Sequence, residues 1–142
     1  MQGKYPVVTQ ESDNLIAGYT DIDNAINDLP LIVFGDHTCA LKYVDFEFVR
    51  GADGTQLIKV DESKIRTKFL CEYLKTIEIT NASKYERHFK YLKDITIPMI
   101  SLQMQDQLLS AINTYESKIA EARTLMSTCQ ARKQAILDKY LK

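Results

Sequence analysis

Two hydrophobic rhythms divide this chain near Pro98. Before it, apolar residues come in short runs and alternations; after it, they recur every three or four positions with a single charged interruption. Leu29–Phe34 is a short apolar run punctuated by Pro30 and closed by Gly35, which predicts a buried strand. Over Tyr43–Phe48, Val44, Phe46 and Phe48 alternate with Asp45 and Glu47, the period of a half-buried strand. Asp53-Gly54 has the chemistry of a positive-φ turn and predicts a hairpin into Gln56–Val60. Asp61 can cap a helix that places Ile65, Phe69, Leu70, Tyr73 and Leu74 on one face. Ile77–Ile79 and Ile95–Ile97 are further short strand candidates. Several strands with few helices predict an α+β domain built on a small twisted sheet.

The second rhythm is helical. With Ser101 as N-cap, no Pro or Gly occurs up to Lys142, and a helix of that length would reach roughly 60 Å at 1.5 Å per residue. Its apolar positions step four, three, four, three: Leu108, Ile112, Tyr115, Ile119, Ala122, Met126 and Cys129, then Lys133, Ile136 and Tyr140. That is a heptad seam with Lys133 its one charged member. A lone helix would leave this stripe wet, so a partner helix is expected along Leu108, Ile112, Tyr115, Ile119, Met126, Ile136 and Tyr140. The predicted organisation is a globular domain over 1–97 and a long pairing helix over 98–142.

Charge changes the picture only locally. The formal net charge of −1 gives no global attraction for a polyanion. Residues 1–34 hold one lysine against five acids, net −4; residues 35–93 hold eleven basic and nine acidic residues, net +2; the rest comes to +1. A surface for a polyanion would have to be a patch. Cys39, Cys71 and Cys129 are scattered and odd in number, without metal-ligand spacing, so no zinc site and a reducing cytoplasm are expected. No signal pattern opens the chain, and no apolar run approaches the roughly 20 residues of a membrane span, so no membrane partner is expected.

Three constellations could carry chemistry. In Leu31–Cys39, LIVFGDHTC, Asp36, His37 and Cys39 could form a nucleophile–base cluster, but no helix N-terminus follows to lower the thiol pKa. The simpler reading has Asp36 and Thr38 satisfying the backbone of a turn. Asp53, Glu62 and Lys64 fit a loose nuclease pattern of two metal-holding carboxylates and a lysine. Turn and helix-start roles account for both acids more simply. No phosphate-binding, serine-hydrolase or zinc-protease motif occurs, and catalysis is not expected. The third is Ser83–Lys93, SKYERHFKYLK, whose basic residues interleave with aromatics as a phosphate-binding surface would require.

Taken in order, five short stretches resemble a known family: Gly18-Tyr19-Thr20-Asp21; Ile32 to Thr38; Val44-Asp45-Phe46 with Gly51-Ala52-Asp53-Gly54; Arg87 to Lys93; and Ile97-Pro98 leading through Gln105 into the long helix. The chain looks like one target-recognition half of a specificity subunit from a type I restriction-modification system. That resemblance implies a non-catalytic protein without a cofactor of its own. Its globular part would read half of a bipartite double-stranded DNA site, and its helix would act as a spacer. It would direct methyltransferase subunits, and restriction subunits where present, to that site. A full subunit carries two such domains and two helices, so a half-subunit or fragment is expected here, starting after the family domain's opening strand. Two copies would then pair antiparallel and read a palindromic split site. The residues this reading assigns to DNA are Tyr19, Thr20, His37, Thr38, Lys42, Arg50, Lys84, Arg87, His88 and Lys90, and Arg87→Ala is expected to weaken binding and flatten its salt dependence. The alternative is a coiled-coil interaction adaptor that binds no DNA.

Overall fold

The computed structural model describes residues 3–51, 54–77 and 88–142. Its element order is β1 (Tyr5–Val8), β2 (Gly18–Thr20), β3 (Leu31–Gly35), β4 (Leu41–Val44), β5 (Val49–Arg50), β6 (Thr55–Ile58), α1 (Thr67–Lys75), α2 (Phe89–Leu92) and α3 (Leu102–Leu141). The fold is α+β: two three-stranded sheets, ordered β2-β1-β5 and β4-β3-β6, and a long C-terminal helix. In the first sheet β2 runs antiparallel to β1 and β5 parallel to it; the second sheet is antiparallel throughout.

The strand expected over Leu29–Phe34 is β3, the centre of the second sheet. All five of its residues are buried, which explains why it reads as a continuous apolar run and not as an alternation. Leu31 and Val33 join Val8, Val44 and Phe48 in one hydrophobic cluster, with Ile26, Leu29, Phe46 and Leu57 packed around it. On the opposite face the ring of Phe34 meets Phe89 at 6.1 Å between centroids, and α1 packs on β3 and β4.

Several expectations are corrected. The strand expected over Tyr43–Phe48 lies earlier, at Leu41–Val44, because β4 must pair with β3 through Val44 opposite Leu31. Phe46 and Phe48 still fill the core after the strand has ended, Phe46 from irregular chain and Phe48 from a single antiparallel bridge to Ile26. The hairpin expected at Asp53-Gly54 does not form among the described residues: β5 pairs with β1 and β6 with β3, so the two strands belong to different sheets. Gly54 has φ +95°, the conformation expected of it, whereas Asp53 lies outside the described residues. Finally, Asp61 caps only a turn, accepting the Ser63 N–H at 3.0 Å. α1 begins at Thr67, whose N–H and hydroxyl are accepted by Glu62 Oε1 at 3.1 and 2.6 Å. Ile95–Ile97 forms no strand, and Ile77–Ile79 lies mostly outside the described residues. The hydrophobic pattern predicts neither β1 nor β2.

The chain forms two compact units, Met1–Gln105 and Asp106–Lys142. α3 starts as expected, with Ser101 Oγ accepting the Met104 N–H at 3.2 Å, and runs for 40 residues. Gln105, its only fully buried residue, serves the first unit. Its Oε1 accepts the Arg66 N–H at 2.7 Å, and its Nε2 donates to the carbonyls of Ile100 and Lys64 at 3.0 and 3.3 Å. In the second unit Tyr115 is 65% exposed, Met126 62% and Tyr140 74%, so the seam lies open as a stripe of large apolar side chains. No described helix is long and apolar enough to cross a membrane.

Candidate nucleic-acid interface

Asp36 organises the region. It sits at the start of the tight connection between β3 and β4, where the Gly35 N–H donates to the Ala40 carbonyl and the Cys39 N–H to the Gly35 carbonyl, both at 2.8 Å. Cys39 closes that turn in the left-handed region, at φ 59°. Asp36 is 2% exposed, and its backbone N–H donates to the Gly54 carbonyl at 2.7 Å. Its own carbonyl accepts the His88 N–H at 2.9 Å, and its carboxylate accepts the Phe89 N–H at 3.0 Å. One buried acid therefore ties its own turn to two stretches that begin 18 and 52 residues further along the chain. A buried carboxylate needs such donors to offset its lost hydration.

Gln10, just beyond β1, completes the arrangement from the other side. Its Oε1 accepts the His37 N–H at 3.1 Å and its carbonyl accepts the Thr38 hydroxyl at 2.6 Å. Gly35 and Gly54 are required by this crowding. A Cβ on Gly35 would collide with Thr38 Oγ1 and approach Gln10 Cβ to 2.9 Å. One on Gly54 would come within 2.6 Å of Gln10 Nε2 and 3.2 Å of the His37 ring. The imidazole of His37 thus lies beside Gly54, exposed to solvent.

Of the residues assigned to DNA, the Asp36 cluster gathers His37, Thr38, His88 and Lys90, with different exposures. His37 and Lys90 are exposed, and Lys90 and Lys93 hold their ammonium groups over the rings of Tyr91 and Phe89 at 4.9 and 5.0 Å. The Thr38 hydroxyl is engaged by Gln10, and His88 is 4% exposed, its ring 6.5 Å from that of Tyr91. Lys42 turns inward: it is 8% exposed and donates to the carbonyls of Thr9 and Asn14 at 2.8 and 2.7 Å. Burial holds its pKa below the ordinary lysine value, while Glu11 pulls the other way. Arg50 is exposed but bonded to Thr55, through Nε to the hydroxyl at 2.6 Å and through Nη2 to the carbonyl. Tyr19, half exposed, and Thr20 lie on β2, at the edge of the other sheet. Lys84 and Arg87 lie outside the described residues.

The same geometry bears on the chemical readings. A catalytic Cys39 would need a lowered pKa, but burial and the neighbouring Asp36 both raise it. The Glu62 carboxylate is engaged at the start of α1. Among the described residues, no group of three or more His, Cys, Asp or Glu side chains could hold a metal ion. Sequence reasoning missed Gln10, and no local signal marks it, because its role depends on β1 ending beside the β3–β4 turn. The chain matches no protein-family model, no curated protein and no solved structure.

Proposed function

We propose that this chain is a non-catalytic DNA-recognition module, one target-recognition half of a type I restriction-modification specificity subunit. Its partners would be double-stranded DNA and methyltransferase subunits, with restriction subunits where the system has them. The observation that carries this reading is the convergence on Asp36. Ile32–Thr38, Gly51–Gly54 and Arg87–Lys93 stand out as motifs in the sequence alone, and residues of all three meet there through hydrogen bonds. The cluster exposes an imidazole and two ammonium groups beside tight backbone, a combination suited to phosphates and groove edges. His37, Lys90 and Lys93 are the residues expected to touch DNA first; Lys42 and His88 hold the fold.

Fluorescence anisotropy of the full chain with a labelled random duplex, across a salt series, tests this reading. Joint replacement Lys90→Ala and Lys93→Ala should weaken binding several-fold and reduce the log–log salt slope by about 1–2, one counterion or so per lost phosphate contact. Unchanged affinity and slope would refute the assignment. The second reading, a coiled-coil adaptor, would then be preferred, since the open seam of the second unit stands independently of DNA.

A further inference from the structure

The seam of the second unit has two rims, the rows of residues that flank it on either side. One rim is Ala111, Lys118, Leu125, Arg132 and Lys139; the other is Leu109, Glu116, Arg123, Gln130 and Leu137. Basic residues are concentrated there. Lys118, Arg132 and Lys139 lie on the first rim, Arg123 on the second, and Lys133 within the seam itself. The acids lie elsewhere, apart from Glu116: Asp106, Glu121 and Asp138 all occupy positions away from both rims. Lys118, Arg132 and Lys139 are exposed, and none makes an ion pair among the described residues.

This segregation opposes self-pairing. In an antiparallel pair like rims face each other, and the register that matches the whole seam sets Leu108 against Tyr140 and Ile112 against Ile136. It also places Lys118 against Arg132 twice, and Arg123 against its own copy. In a parallel pair unlike rims meet, and Lys118 faces Arg123. Neither arrangement creates an opposite-charge contact. Sliding the antiparallel pair by one heptad brings Glu116 to Arg123, but it leaves Ile136 and Tyr140 beyond the end of the facing seam at Leu108. Like charges directly opposed disfavour association, so rim charge selects the partner.

We infer that the seam of Asp106–Lys142 takes a heptad helix of another sequence, one whose own rims are acidic, and not a second copy of this chain. This departs from the antiparallel homodimer that the resemblance implies, and it is independent of what the first unit binds. A membrane surface fits less well. A strict seven-residue repeat drifts about 20° per heptad around a straight helix, roughly 90° from Leu108 to Tyr140, which a supercoiling helix can follow and a flat bilayer cannot.

Two synthetic peptides of equal length, with leucine seams and either glutamate or lysine at both rims, provide the probe, together with phosphatidylserine vesicles. The full chain should sediment as a monomer at tens of micromolar. It should bind the glutamate peptide on the order of tenfold more tightly than the lysine peptide, with the gap closing at high salt. The single exchange Lys118→Glu, on an exposed position, should turn the chain into a dimer by setting a carboxylate against Arg132 of the second copy; circular dichroism confirms that the helix is intact. The inference is overturned by a dimer of the unsubstituted chain, by equal binding of the two peptides, by a Lys118→Glu chain that stays monomeric, or by vesicle capture without preference for the acidic peptide.

Discussion

Cys71, in the middle of α1, is fully buried, and burial pushes its thiol up to about 11 from an ordinary value of 9.0. The pH dependence follows from which state holds the proton. Below pH 9.0 the thiol is protonated in both folded and unfolded chains and contributes no slope. Between 9.0 and about 11 the unfolded chain loses the proton while the folded chain keeps it, so stability falls as pH rises. The loss should reach roughly 2–3 kcal/mol by the upper end of that window. Urea midpoints measured through the window should show the decline, and Cys71→Ala should abolish that component while costing about 1–2 kcal/mol at neutral pH. An unchanged alkaline slope in Cys71→Ala would place its origin elsewhere. Alkylation should follow the same order of access, with exposed Cys129 reacting before half-buried Cys39, and Cys71 only on unfolding.

At the scale of elements, the β3–β4 connection and α2 are a single device joined by Asp36. A helix of four residues has almost no intrinsic stability, so α2 depends on what receives its first N–H groups. The Asp36 carbonyl and carboxylate do that for His88 and Phe89. Asp36→Ala should leave the Phe89 N–H unsatisfied and cost about 1–3 kcal/mol, while Asp36→Asn, which keeps an acceptor oxygen, should recover most of it. Hydrogen exchange at Phe89 and Tyr91 in the alanine variant should rise well beyond that in β3; equal protection would deny the coupling. How legible such elements are depends on where their partners lie. β3 is readable because burial on both faces makes its pattern local, and α3 because one period holds for 40 residues. β1, β2 and β5 have four, three and two residues, too few to establish a period, and their pairing is set by chain far away. The exposed side of the Asp36 cluster is legible as residue types. The inward placement of Lys42 and His88 is not, because both look like surface residues until Lys42 is seen to donate to the Thr9 and Asn14 carbonyls and the buried His88 to give its backbone N–H to Asp36.

For the whole molecule, the boundary at Gln105 separates two kinds of stability. The first unit has its own core, and its last buried member is a glutamine whose amide serves three backbone groups. The second has a helix with an open apolar stripe and draws its stability from whatever covers that stripe. Cutting the chain on either side of Gln105 should therefore have opposite consequences. A chain ending at Ile112 keeps every Gln105 bond and should unfold in urea at nearly the midpoint of the full chain. A chain ending at Ile100 loses all three, leaves the Arg66 N–H without its acceptor, and should be destabilised by about 3 kcal/mol or more. DNA binding gives the second readout. If the Asp36 cluster is the contact surface, the chain ending at Ile112 should retain the salt slope of the full chain, although it lacks Lys118, Arg123, Arg132, Lys133, Lys139 and Lys142. If those six cations instead supply the attraction for phosphate, the slope should collapse with their removal, and the recognition surface would have to be moved from the sheets to the helix.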